Sequence, residues 1–467
     1  MVDTALYIVR RDLRVHDNAA LAAANKHSSM IAVFIYEPEK GFSASNWWLH
    51  HALLDFQQSL QKLQIPFLIR KGNYKEELER VLYKTKATAV YWNRVYEPNV
   101  YNRDLMIGRE LQSREIRVQT FESTLLLPPW TITKGNSKGF KVFTPFYRQF
   151  RKHEIPRPIM NPRIMNRTNM RELPSIPVHA LQLLPTIRWD EQFTIYKPTE
   201  EHGLSLVLEF IQTNLKIYEQ CRDIPISKST SFLSPYLAFG QISSRYIWNK
   251  VLTQLDEDNE EVEAFLRQLV WREFSYQVLM SNPSMIDQSV NSRFLSFPWQ
   301  DDDKLFHLWT SGLTGYPIVD AGMRQLWRTG FMPNRVRMIT ASFLVKHLLI
   351  PWQRGARWFL DTLVDADLAI NSFNWQWVAG TGSDAAPFFR IFNPILQGTK
   401  FDPEGKYVKR WIPELRGIPT KFIHTPWLTP DSIIQDGQLK LGITYPYPVI
   451  EHNIARIRAL ESFKQLP

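Results

Sequence analysis

The sequence predicts an α/β N-terminal domain, with a parallel, doubly wound, Rossmann-like sheet, followed by an all-α domain. Three observations carry this. In the first 125 residues, short β-branched or aromatic runs alternate with segments of helical periodicity, the pattern of a parallel sheet covered on both faces. Beyond residue 200 strand signals nearly vanish, and apolar residues recur at helical spacing. Between these regions lie PPW, TPF, IPRPIMNPR and LPSIP, and proline at that density removes backbone donors and breaks helices. The expected organisation is an α/β domain over 1–125, a long irregular connector over 126–200 and an all-α domain over 201–467.

In chain order, TALYIV (4–9) reads as a buried strand, RRDLRVHDN as a polar turn and NAALAAANK as a helix. MIAVFIY (30–36) is a second strand, and WWLHHALLDFQQSLQKL (47–63) has the apolar spacing of a helix. FLIRKG, ATAVYWN and IRVQTF give three more strands, separated by helices around 74–85 and 98–113. No G-x-G-x-x-G follows the first strand, so dinucleotide binding by the sheet is weakly supported. Arg10, Arg11 and Arg14 either grip an anion or pair with Asp12 and Asp17; pairing is the preferred reading. The connector exceeds ordinary loop lengths and is expected to wrap over the surface with packing or function of its own. Within it, KVFTPFYRQF (141–150) starts a helix. The later helices include LSLVLEFIQTNL, EVEAFLRQLVWREFSYQVLM, MITASFLVKHLLIPW and ARWFLDTLV.

The bulk numbers narrow the function. The 467 residues carry a net charge of +10, which favours a polyanionic partner such as nucleic acid. A lone cysteine, Cys221, excludes an internal disulfide and any cysteine-rich metal or iron–sulfur site, and fits a reducing cytoplasm. The N-terminus lacks the basic and apolar regions of a signal peptide. No run of about 18 apolar residues exists to span a membrane.

The densest chemistry lies in Asp361–Pro394, DTLVDADLAINSFNWQWVAGTGSDAAPFFRIFNP. Asp365 and Asp367, two apart, precede Asn371 and the pair Trp375 and Trp377; Gly380, Gly382 and Asp384 follow. Acids at i and i+2 on a helix lie on different faces, so at least one should meet a polar partner, because a buried aspartate needs a cation or donors. A packed helix pair with a satisfied polar network and a pocket for a large, flat, hydrogen-bonding cofactor both fit.

These residues resemble the cryptochrome/photolyase flavoproteins, most closely the microbial cyclobutane pyrimidine dimer photolyases. The pattern D-x-D-x-x-x-N…W-x-W followed by T-G-x-D-A-A-P-x-F-R-I-F-N-P carries the resemblance, which extends from RRDLRVHDN to KYVKRWIPEL. It implies that the all-α domain binds FAD and DNA, and that Asp365, Ala366, Asp367 and Asn371 line the isoalloxazine. Arg337 is implied as the partner of Asp365. Tyr218 and Thr230, Ser231, Phe232, Leu233 and Ser234 match the segment that holds the FAD phosphates and ribityl chain. From the residues alone, that Ser/Thr-rich segment reads as a helix cap. Phe232 stands where the family often has arginine. Trp375, Trp352 and Trp299 match, in order, the near, middle and surface members of the chain that photoreduces the flavin.

The resemblance also assigns a DNA face. Gln268 and Trp271 are i, i+3 neighbours, so an amide and an indole share one helix face, which suits stacking on a nucleobase and bonding its edge. By resemblance they meet the lesion, with Trp377, Asn334 and Met338, while Arg272, Ser275, Arg335 and Gln397 belong to the DNA-contacting set. Lys400, Lys406, Lys409 and Arg410 read as a phosphate rim. Dimer photolyases carry glutamate where Gln268 stands; glutamine there is usual in (6-4) photolyases and animal cryptochromes. The (6-4) enzymes use two histidines near 331–338, and this stretch has none; Pro333 replaces one. Asn371 is the photolyase residue at its position. The implied function is light-driven repair of pyrimidine dimers in DNA by a monomer without a metal, the alternative being a cryptochrome-like blue-light receptor. A second, antenna chromophore, folate or deazaflavin, is left open: YWNRVYEPNVYNRD (91–104) resembles the facing region loosely, with Val100 where some folate-binding members have an acid.

Overall fold

The computed structural model describes residues 3–38, 43–134, 139–159, 174–227, 229–256, 258–430 and 439–466. Parts of IPRPIMNPR and LPSIP lie outside them. Five strands, β1 (Thr4–Ile8), β2 (Ser29–Tyr36), β3 (Phe67–Lys71), β4 (Ala89–Asn93) and β5 (Arg117–Phe121), form one sheet in the order β3-β2-β1-β4-β5. Every pairing is parallel, with Leu6 opposite Ile31 on one side and Val90 on the other. β1 and β4 are buried along their whole length, as expected of strands covered on both faces. Leu6, Ile8, Ile31, Val33 and Val90 meet Leu78, Val81 and Leu82 of helix Tyr74–Thr85 and Ile107 and Leu111 of helix Pro98–Ser113. β5 is the polar edge strand. The five strands and their helices fall where the hydrophobic patterning puts them.

The arginine turn is structural, as preferred, but with other partners. Arg10 is bidentate to Asp104 at 3.1 and 3.0 Å, and Arg11 pairs with Glu97 at 3.2 Å. Arg14 donates to the carbonyls of Gly240 and Ser123, both at 2.7 Å. Asp12 instead accepts from Tyr7 Oη at 2.7 Å, and Asp17 from Ser243 Oγ at 2.6 Å. The nearby acids still serve the turn, Asp12 Oδ1 accepting from Arg10 N at 2.6 Å and Asp17 O from Arg14 Nη2 at 3.0 Å, while the ion-pair partners of Arg10 and Arg11 come from far along the chain.

The compact units divide elsewhere than at residue 200. One comprises 1–216 and 231–283, the other 217–230 and 284–467. The first unit extends past the connector because strand-end loops are tied to its helices. Glu200 accepts from the backbone of Val15 and His16, both at 2.8 Å; Arg245 donates to Glu122 O at 3.0 Å; Arg272 donates to Thr124 O at 2.8 Å. Gly240 has φ +66°, and a Cβ there would sit 2.0 Å from Arg11 O, so only glycine fits. Connector helix Phe143–Phe150 packs on helix Glu260–Ser281.

The second unit is helical. Its centre runs through helix Asn334–Ser342, a π-helical turn Phe343–His347, helix Trp352–Thr362 and helix Leu368–Ala379. Buried Lys346 leaves that turn to donate to Ala379 O at 2.9 Å, at the carbonyl end of helix Leu368–Ala379. Asp320 is fully buried and takes four hydrogen bonds, from Thr314 N and Oγ1, Gly315 N and Tyr445 Oη. No helix among the described residues is long and apolar enough to cross a membrane.

Candidate functional site

Asp365 and Asp367 do not share a helix, as the spacing argument assumed. Asp365 sits in the turn before helix Leu368–Ala379, and Asp367 is that helix's N-cap, accepting from Ile370 N at 3.0 Å. Asp365 finds the expected cation: Arg337 Nη2 lies 2.8 Å from its Oδ2, and Arg337 Nε is anchored on Met332 O at 2.7 Å. The other oxygen of Asp365, Oδ1, is buried with no hydrogen-bond partner among the described residues. Ala366 is buried between the acids. One turn on, Asn371 donates to Ala356 O at 3.0 Å.

The helix is held by Gln376. Its amide donates to Met285 O and Gln288 O at 2.8 and 2.9 Å, while its oxygen accepts from Val290 N at 2.9 Å. Trp375 is buried against Phe359, centroids 5.0 Å apart, and Trp309 at 6.2 Å, and its Nε1 has no partner among the described residues. Its seat depends on Gly355, where a Cβ would lie 2.1 Å from the Trp375 ring. Trp352 is fully buried and donates to Ser289 Oγ at 3.2 Å; Trp299 is part exposed beside Phe297 at 4.4 Å. Trp377 is part exposed.

On helix Asn334–Ser342, Asn334 and Met338 touch at i, i+4, the amide 3.9 Å from the sulfur. Arg335 is engaged inside the second unit: it pairs with Asp223 and lies over the Phe401 ring at 4.5 Å. Burial pushes the Tyr218 phenol up. Gln397 is part exposed, and Lys400, Lys406 and Arg410 are exposed, with Lys406 paired to Glu404 at 2.5 Å.

The Ser/Thr-rich segment, Thr230 in the second unit and Ser231–Ser234 in the first, does not cap its helix by a hydroxyl. Helix Ser234–Ala238 has only five residues, and its cap position is Leu233, with no side-chain bond, because Ser234 has already entered the helix. Phe232 takes a left-handed conformation, φ 53°, and is 40% exposed. Gln268 and Trp271 share a face of helix Glu260–Ser281; Gln268 donates to Ala264 O at 3.0 Å, and Trp271 lies flat on Phe143 at 3.5 Å between centroids. Arg272 and Ser275 depart from the expectation of DNA contact. Arg272 is 7% exposed and donates to Thr124 O; Ser275 is 2% exposed and donates to Trp271 O at 2.9 Å. Arg272 ties the helix to the loop after β5, and Ser275 bonds back within the helix.

Sequence reasoning passed over Gln376, Gly355, Lys346 and Phe143. Only Phe143 left a local trace, the i, i+4 aromatic pair Phe143 and Tyr147. The other three act on residues remote in sequence.

The orphaned Asp365 oxygen, a buried acceptor beside the Arg337 guanidinium, suits a ligand that brings a hydrogen-bond donor. Comparison with known families agrees: residues 5–163 match the DNA photolyase family, and residues 265–465 match the FAD binding domain of DNA photolyase. Among curated relatives, a deoxyribodipyrimidine photo-lyase of Agrobacterium fabrum is 43% identical over 97% of this chain and 96% of its own. Cryptochrome-2 of Arabidopsis thaliana is 36% identical over 96% of this chain and 76% of its own. The crystal structure of a bacterial class III photolyase from Agrobacterium tumefaciens superposes with a TM-score of 0.95 at 42% identity, covering 99% of this chain and 98% of that one. The chain belongs to the cryptochrome/photolyase family of FAD-binding proteins.

Proposed function

We propose that this protein repairs cyclobutane pyrimidine dimers in DNA under light, acting on a dimer flipped out of the duplex. The observation that supports this most is the Asp365–Arg337 pair with its orphaned carboxylate oxygen, on a chain aligned nearly end to end with photo-lyase relatives. Reduced FAD, when bound, supplies a photoexcited electron that splits the dimer and then returns. The rest of the chemistry falls to positioning and electrostatics. Arg337, Asp365, Ala366, Asp367 and Asn371 would hold the ring system, the guanidinium favouring negative charge there. Tyr218 and Thr230–Ser234 would hold the phosphates and ribityl chain. Gln268, Trp271, Asn334, Met338 and Trp377 would meet the lesion, Gln397 and the exposed lysines the strand. Trp375, Trp352 and Trp299 would carry electrons inward to restore the reduced state.

Flipping costs least where damage has already weakened pairing, which favours a dimer over intact bases. Gln268 supplies hydrogen bonds but neither a proton nor a charge. That residue is the specific observation favouring a second reading, a blue-light receptor with weak or no repair. Incubating the FAD-loaded protein with dimer-containing DNA under blue light separates the two. Dimer loss supports repair; an unchanged dimer with the flavin reduced favours the receptor. Gln268→Glu is expected to raise repair about tenfold if the side chain meets the dimer, a scale set by one charge-assisted hydrogen bond. An unchanged rate would remove Gln268 from the lesion.

A further inference from the structure

We propose that Phe143 is a positioning residue for damaged DNA: the connector helix Phe143–Phe150 fixes the plane of Trp271 and thereby sets the preference for a dimer over undamaged DNA. This rests on the reading that Trp271 meets the lesion.

The geometry is a column of rings within the first unit. Phe143 lies on Trp271 at 3.5 Å between centroids with 7° between planes, and Tyr147 lies on Phe143 at 5.6 Å and 17°. Phe143 and Tyr147 are i, i+4 on one helix, and Arg267 and Trp271 are i, i+4 on the other, so two rows interlock. The Arg267 guanidinium sits 5.5 Å from the Phe143 centroid and 5.4 Å from that of Tyr147, binding the column along its side. The short helix is itself anchored, through Phe146 on Phe274 at 5.1 Å and Phe150 on Trp248 at 5.8 Å. Phe143 is 2% exposed, whereas Trp271 keeps part of its surface accessible.

An unbraced indole turns about two side-chain torsions and gives up that freedom when a base stacks on it. Here the rotation is already suppressed, because turning Trp271 breaks its stack with Phe143. Binding energy from stacking then reaches the lesion undiminished. Phosphate contacts are blind to this brace, since they read the backbone alone. The effect therefore belongs to discrimination between damaged and intact DNA. It also gives the proline-rich connector a role: it carries the brace.

The test uses the full-length, FAD-loaded protein and two oligonucleotides of one sequence, with and without a single thymine dimer. Phe143→Ala is expected to weaken binding of the damaged strand about three- to tenfold, the scale of one aromatic stack, with undamaged binding and dimer splitting per bound complex unchanged. Phe143→Tyr, which keeps the ring, is expected to match the unmodified protein. If Phe143→Ala does not fold, Phe143→Leu removes the ring while filling the site, with the same expectation. An unchanged affinity ratio in a folded, FAD-loaded variant lacking the ring, or equal loss on both oligonucleotides, overturns the proposal. Trp271→Ala separates the two levels. If it too leaves the ratio unchanged, the assignment of Trp271 to the lesion falls and the brace with it. If it abolishes the preference while loss of the Phe143 ring does not, only the brace falls.

Discussion

At the scale of single residues, the Asp365–Arg337 pair is asymmetric in consequence. The Asp365 side chain is 4% exposed and Arg337 24%. Arg337→Met leaves a buried carboxylate without its cation, expected to cost about 3 kcal/mol in thermal or denaturant unfolding. Asp365→Asn keeps the shape and removes the charge, so it should cost less stability while still lowering FAD occupancy, measured by absorbance of the purified protein. Equal stability losses would contradict the burial argument. Gly355 gives a second test. Its missing Cβ makes room for the Trp375 ring, so Gly355→Ala is expected to destabilise by about 1–3 kcal/mol through overpacking and to slow photoreduction of bound flavin. Neither Gly355 nor the Asp104 partner of Arg10 was legible in the sequence, because each depends on a residue brought near only by folding. The Asp365–Arg337 pair was legible through resemblance; the helical placement of the two acids was not, since one is a cap and the other a turn residue.

At the scale of elements, helix Glu260–Ser281 docks through an acid that burial pushes up to about 8. Glu273 is 4% exposed and accepts from Leu126 N and Leu127 N at 2.9 and 3.3 Å; the neighbouring Arg272 guanidinium, 3.8 Å away, only partly offsets the burial. A raised carboxyl keeps its proton in the folded state while the unfolded chain releases it near 4.5. The contribution of Glu273 to stability is therefore full below about pH 4.5 and is lost as pH rises towards 8. Glu273→Gln should flatten this stretch of the stability–pH curve; an unchanged slope would mean the acid is ionised in the fold. The helix itself was plain from its apolar spacing, as were the five strands from their β-branched runs. The docking acid was not, because nothing local marks Glu273 as buried.

Across the molecule, Glu273 in one compact unit and His347 in the other tie stability to pH in opposite senses. In the second unit, His347 is fully buried on the π-helical turn, its Nε2 2.9 Å from His452 Nδ1 at the start of the last helix. Burial, with His452 and Arg458 close by, pushes His347 down to about 3. The unfolded chain takes up a proton near 6.5, so this contribution is lost as pH falls from there towards 3. In hydrogen exchange resolved by segment, acidification below about pH 6.5 should weaken 284–467 less in His347→Gln than in the unmodified protein. An equal loss of protection in the two proteins would contradict the assignment. The compact units were the least legible feature at this scale. Composition marks the proline-rich connector, but the boundary follows long-range ties such as Glu200 to Val15 and Arg245 to Glu122, which no local pattern announces. The measurement that bears most directly on the proposed function is the wavelength dependence of dimer loss from a bound oligonucleotide. Repair that follows the absorption of the bound chromophores and stops in darkness is expected. Dimer loss in the dark, or none at any wavelength with DNA bound and flavin reduced, would contradict it.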